Sequence, residues 1–270
     1  MRFFNRVGTN VLLSGDAGTN WSSIYTTINS ANLILKHTPE ISFTNEATRN
    51  EVMANAYFLR AYCYFTLVRV FGDCPLLTSG FESEKQEDMY PSRTAASEVY
   101  AQVETDIEEA LRLMPASSKL LHKASPAAIN MLRTEYYLWK AKRLGGGNAA
   151  LSTAQSSVDA VLKAGYALLP TFADIFNLNN EANSELIWTL PYIVNENVTP
   201  GTSPNFFAYY LAPNGDRTRL REAGYTEDEV PAGSHAQYVV PTQAYCDFLA
   251  EDARCLLYTS PSPRDTERSR

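Results

Sequence analysis

The sequence predicts a mainly α fold: tetratricopeptide-like helical repeats with a loop-rich insert and short strands. Three observations carry that expectation. Between residues 21 and 170, apolar residues recur at intervals of three and four, and Gly or Pro closes each run. Two stretches share one plan, in which a long helix, a connector and a second helix are followed by a proline. From residue 195 to 240 the periodicity is lost, and Pro, Gly, Asn and Tyr accumulate.

Residues 1–20, rich in Gly, Asn and Thr, read as an N-terminal loop segment. The helical-repeat region then runs from 21 to 170. Its first helix carries Trp21, Ile24, Tyr25, Ile28, Ala31, Asn32 and Leu35 at helical spacing, and Pro39 closes it. A second helix starts at Asn45 or Glu46 and ends at Gly72, with Pro75 preventing continuation. A connector over 73–92 holds the acidic run ESEKQED. Val99, Val103, Ile107, Ala110, Leu111 and Met114 line one face of the next helix, before Pro115. Ser125-Pro126 is a start signal, because serine caps and proline suits the first helical position. That helix reaches Gly145-Gly146-Gly147, and Asn148 is expected to cap another one that stops at Gly165. A connection this short sets the last two helices antiparallel. ELIWTLPYI, residues 185–193, has no helical stripe and reads as a short strand.

The second helix is apolar around nearly its whole circumference. Its stripes are Val52, Ala56, Leu59, Cys63, Leu67, Val70; then Tyr57, Ala61, Tyr64, Val68, Phe71; then Phe58, Tyr62, Phe65. Such a helix is buried on nearly all sides, as the inner helix of a stack. Arg60 and Arg69 point to opposite sides at about 100° per residue, so each is expected to pair with a group on a neighbouring helix.

Composition excludes several functions. A net charge of −7 over 270 residues does not suit a phosphate-backbone binder, so no nucleic-acid partner is expected. No run of about 20 uncharged apolar residues is present to span a bilayer. Cys63, Cys74, Cys246 and Cys255 make no C-x-x-C pair. Cys63 and Cys74 lie roughly 15 Å apart along a helix axis, beyond the ~7 Å a disulfide spans. His37, His122 and His235 fall in connectors without a metal-ligand cluster, so neither metal nor cofactor is expected. No nucleophile, zinc or phosphate-loop motif occurs, and no catalysis is expected.

AYFLRAYCYFTLVRVFGDCPLL, residues 56–77, resembles the signature of the SusD/RagB family through Ala56, Arg60, Ala61, Tyr64, Leu67, Phe71, Gly72, Pro75 and Leu76. Four further segments agree in order. They are WSSIYTTINSANLIL, SRTAASEVYAQVETDIEEALRLMP, ALLPTFADIFNLNNEANSELIWTLPY and VVPTQAYCDFLAEDAR. The resemblance implies a surface-exposed outer-membrane lipoprotein that binds a glycan, or another nutrient such as a peptide. It further implies delivery to a TonB-dependent transporter, with helical repeats contacting the transporter and irregular loops holding ligand. A lipid anchor would be the membrane attachment, and nothing before Trp21 supplies it, so the chain is expected to be an internal fragment. Residues 255–265, CLLYTSPSPRD, can be encoded by the constant bases of a transposase-library adapter, and TERSR fits a variable index followed by further constant bases, so 255–270 are expected to be non-native. The rival reading is an intracellular helical-repeat scaffold that binds a peptide or protein in its groove.

The loop-rich region, 171–254, is the expected ligand-facing part. Asn205, Phe206, Phe207, Tyr209, Tyr210, Asn214, Asp216, Arg217, Arg219 and Tyr225 crowd one irregular stretch there. Aromatic faces stack on sugar C–H surfaces, and Asn, Asp and Arg bind hydroxyls, which is the mixed lining of a ligand pocket. The same aromatics also suit a small satellite core beneath the loop.

Overall fold

The computed structural model describes residues 20–83, 91–118, 121–171, 174, 175, 180 and 182–190. Among these, the helices are α1 (Ser22–His37), α2 (Glu46–Phe71), α3 (Ala96–Leu113), α4 (Pro126–Arg143) and α5 (Gly147–Leu162). A 3-10 turn, Thr38–Glu40, follows α1 and contains Pro39. Each helix packs on the next in chain order, the nearest-neighbour packing of helical repeats. The chain divides into two compact units, 1–169 with 182–189, and 170–181 with 190–270. All five helices lie in the first.

The helix ends follow local chemistry. Asn45 is extended, and its side chain accepts the Ala47 N–H at 2.9 Å to open α2. Gly72 closes α2 at φ +68°, a conformation that costs a residue with a Cβ. Ser125 Oγ accepts the Ala128 N–H at 3.2 Å, with Pro126 in the first turn of α4. α5 differs from expectation, since Gly146 is its N-cap and Asn148 lies inside the first turn. The Gly146 N–H donates back to Lys140 O at 3.0 Å, closing α4, while its carbonyl accepts the Ala150 N–H at 3.3 Å. One glycine thus serves both helix ends, and no side-chain cap is made. α3 takes its cap from outside the helix. Asp73 Oδ1 accepts the Ala96 N–H at 2.8 Å, a carboxylate at the positive end of a helix.

The connector after α2 is held by side chains from α1 and α2. Tyr25 donates its hydroxyl proton to Pro75 O at 2.7 Å. Tyr64 donates to Leu77 O at 2.9 Å and accepts the Leu77 N–H at 2.7 Å. Asn32 donates to Leu77 O and Ser79 O, and Asn29 pairs both ways with Phe81. Gly80 passes so close to α1 that a Cβ would meet Leu33 Cδ2 at 2.6 Å. An antiparallel bridge between Cys74 and Thr94 ties the two ends of the connector together.

The core centres on α2. Phe58, Ala61, Tyr64, Phe65, Leu67 and Val68 are buried with Ile28, Val99, Val103, Ile107, Ile129 and Tyr136. Two members of the expected stripes depart: Tyr62 is 41% exposed and Val70 65%. Tyr62 shares a helical row with Asn55, Thr66 and Arg69, so a polar edge runs down an otherwise apolar helix. The expected strand also fails over its described residues, 185–190. Among the described residues, the backbone bond that reaches across is the Thr189 N–H to Leu121 O at 3.0 Å, and there is no ladder there. Ile187 and Trp188 instead pack on the helical core. Residues 191–193 lie outside the described residues.

The α3–α4 seam is tied through Glu104. Its carboxylate accepts Lys140 Nζ at 2.6 and 2.8 Å, and the Tyr136 and Tyr137 hydroxyls at 2.9 Å each. Burial pushes this carboxyl up, but those three donors, which make four hydrogen bonds, outweigh it and hold it below the usual carboxylate range. A lowered folded pKa adds stability that is present above the unfolded value and lost as pH falls through the folded one. Glu104→Gln is therefore expected to flatten the fall in Tm between about pH 5 and pH 3. Thermal melts across that range check this, and an unchanged acid limb would refute the role given to Glu104.

Candidate functional site

Within the first unit, α2, α4 and residues 185–188 enclose a cleft of about 260 Å³. Phe58, Tyr62 and Trp188 form its aromatic wall. The Trp188 ring stands edge-on to Phe58 at 5.2 Å and to Tyr62 at 5.5 Å. Ala128, Met131 and Leu132 of α4 form the opposite wall, and Leu186 and Ile187 complete the apolar lining. The charged lining residues are Glu135 and Glu185. Glu185 accepts the Leu169 N–H at 2.9 Å, and Arg69 lies 3.7 Å from Glu135.

A second, polar recess of about 400 Å³ lies beside the connector, lined by residues including Lys36, Tyr57, Arg60, Ser79 and Gln102. Arg60, 5% exposed, forms its base. Its guanidinium donates to both Asp106 oxygens, at 2.6 and 2.8 Å, and to Asn32 Oδ1 at 2.7 Å. Asp106 has no exposed surface and also accepts Gln102 Nε2 at 2.9 Å. The expected partners of the two arginines are thus present: Arg60 reaches α3, and Arg69 faces Glu135 of α4. Arg60 also donates to Thr78 O, so it joins α1, α2, α3 and the connector at one buried point.

Asn205, Phe206, Phe207, Tyr209, Tyr210, Asn214, Asp216, Arg217, Arg219 and Tyr225 all lie outside the described residues, as do His235, Cys246 and Cys255. Cys63 and Cys74 are buried free thiols. Burial pushes the Cys63 thiol up to about 11 and raises that of Cys74, so neither is a ready nucleophile. His122 is exposed, and its Nδ1 lies 3.3 Å from Thr189 Oγ1. His37 lies between Glu82 and Glu40, which raise its pKa. No group of three His, Cys or carboxylate side chains converges on a metal site among the described residues. The cleft itself was not foreseen. The sequence pattern sets Tyr62 in a core stripe and Trp188 in a strand, and the signal that separates Tyr62 is the polar row it shares with Thr66 and Arg69.

A family model described as starch-binding and associating with the outer membrane matches residues 5–137. SusD-like protein P25 of Formosa agariphila is 28% identical over 179 residues, which cover 64% of this chain and 31% of that protein. Among solved structures, B. fragilis NanU superimposes with a TM-score of 0.65 at 29% identity, over 72% of this chain and 39% of its own. A laminarin-binding SusD-like protein does so with a TM-score of 0.54 at 25% identity, over 65% and 41%. The chain spans less than half the length of these relatives.

Proposed function

Since the chain belongs to the SusD-like family, which binds starch-like glycans in association with the outer membrane, we propose that it captures a glycan at the cell surface and passes it to a TonB-dependent transporter. The observation that carries this reading is the family match across α1, α2, α3 and most of α4. The named ligand of a relative that shares the fold, laminarin, supports a glycan as the cargo. We assign ligand contact to Asn205, Phe206, Phe207, Tyr209, Tyr210, Asn214, Asp216, Arg217, Arg219 and Tyr225, where ring faces and hydroxyl-binding groups concentrate. The protein holds and releases its ligand, and no bond is made or broken.

The test is a glycan array probed with the full chain, followed by calorimetry on the best ligand. Saturable binding is expected, and Tyr209→Ala with Tyr210→Ala should weaken it about tenfold, the effect of losing roughly 1.4 kcal/mol of ring contact. If no glycan binds while a peptide library yields ligands, the reading fails in favour of the peptide-binding scaffold.

A further inference from the structure

The cleft between Tyr62, Trp188 and Met131 lies in the helical unit, apart in sequence from the residues assigned to ligand above. Its properties restrict what it can hold. Tyr62 is exposed and Trp188 half-buried, and their rings meet edge to face at 64°. Tyr62 also stacks on Phe58 at 30°, so it is the exposed 41% of Tyr62 that is open to a flat C–H surface. Two carboxylates and no basic side chain line the cleft. A carboxylate only accepts hydrogen bonds, so the occupant must donate them. The negative lining, partly offset at Glu135 by Arg69 at 3.7 Å, disfavours uronates and sulfate esters relative to a neutral sugar. A volume of about 260 Å³ falls below the roughly 300 Å³ at which sites for drug-sized ligands begin, so it suits one ring and not an oligomer.

We propose that this cleft is an accessory subsite for a single neutral hexose ring of a glycan chain. The ring packs a C–H face on Tyr62 and Trp188 and donates hydroxyls to Glu135 and Glu185. A lysine or arginine side chain would also satisfy the carboxylates. However, Met131, Leu132 and Ile187 would strip water from its charge, at a cost that a sugar's C–H face does not incur. Glu135 also already faces Arg69 at 3.7 Å, which reduces its pull on a second cation. The proposal rests on the glycan-binding reading and adds a second place, and a sugar class, to it.

The test titrates the full chain with neutral gluco-oligosaccharides and with an oligogalacturonate of equal length, by calorimetry and tryptophan fluorescence. The neutral ligand should bind more tightly and shift the emission. Trp188→Phe should abolish the shift, and Tyr62→Ala should weaken binding about tenfold with Tm unchanged. Glu135→Gln should narrow the gap between neutral and acidic ligands, and it keeps the test sharp if Tyr62→Ala perturbs folding. Neutral-sugar binding identical in all four proteins would overturn the subsite and leave the glycan-binding reading standing. Tighter binding of the oligogalacturonate, or of a lysine-rich peptide competing at Trp188, would overturn it as well. Binding of no sugar at all would end both readings, and the array separates that case.

Discussion

Tyr64→Ala is expected to lower the unfolding free energy by about 3–5 kcal/mol, the range for truncating a large buried aromatic. Tyr64 has no exposed surface, and its ring meets Tyr25 edge-on at 6.5 Å. Its hydroxyl is also both donor and acceptor for Leu77. Losing that partner adds a cost of about 1–3 kcal/mol where the Leu77 groups find no water. Tyr64→Phe isolates this second part, since it keeps the ring and removes the hydroxyl. Against a typical domain stability of about 5–15 kcal/mol, the alanine variant sits near or past the threshold of folding. Denaturant titration followed by circular dichroism measures both variants. Tyr62→Ala, 41% exposed on the same helix, is the control. If Tyr64→Ala stayed within about 1 kcal/mol of the wild type, Tyr64 would not be a core residue.

The second large effect concerns Arg60 and Asp106. Removing one partner leaves the other charge buried and alone, at a cost of about 3–5 kcal/mol. Arg60→Met and Asp106→Leu are each expected to reach that range. The double variant should recover most of the loss, because an apolar pair of similar volume is close to neutral. Asn32 keeps its bonds to Leu77 and Ser79 in every variant, so the connector stays attached while the ion pair is varied. A double-mutant cycle reads the coupling. Costs that simply add across the two sites would show that the pair is not a unit.

The helical part was legible because its signals are local. Asn45, Gly72, Ser125 and Pro126 mark helix ends through bonds made within a few residues. The apolar runs report burial through a period that depends on nothing distant. The misses share the opposite character. Asn148 loses its capping role because Gly146 is committed to α4 by its bond to Lys140 O, a local competition the spacing does not display. ELIWTLPYI has strand composition, but a strand exists only where another backbone edge lies beside it, and here the side chains meet helices instead. The pairing of Arg60 was expected, yet its partner, Asp106, could not be picked out from the sequence, being 46 residues away. The aromatic cleft was invisible for the same reason, since Trp188 meets Phe58 and Tyr62 across more than a hundred residues.

α2 is greasy almost all the way round, and the hydrophobic effect has no direction. Oil-like burial alone would be nearly as content with the helix rolled by a quarter turn. The polar side chains on it break that degeneracy. Arg60 is matched at Asp106, Asn32 and Thr78 O, and Tyr64 at Leu77. They act as a key that indexes the helix about its own axis, and the signature motif is largely a record of that indexing. The Arg60→Met/Asp106→Leu variant puts this hypothesis to trial: its melting point should return while its amide NMR spectrum broadens into several interconverting settings. A single sharp spectrum would show that shape alone orients α2.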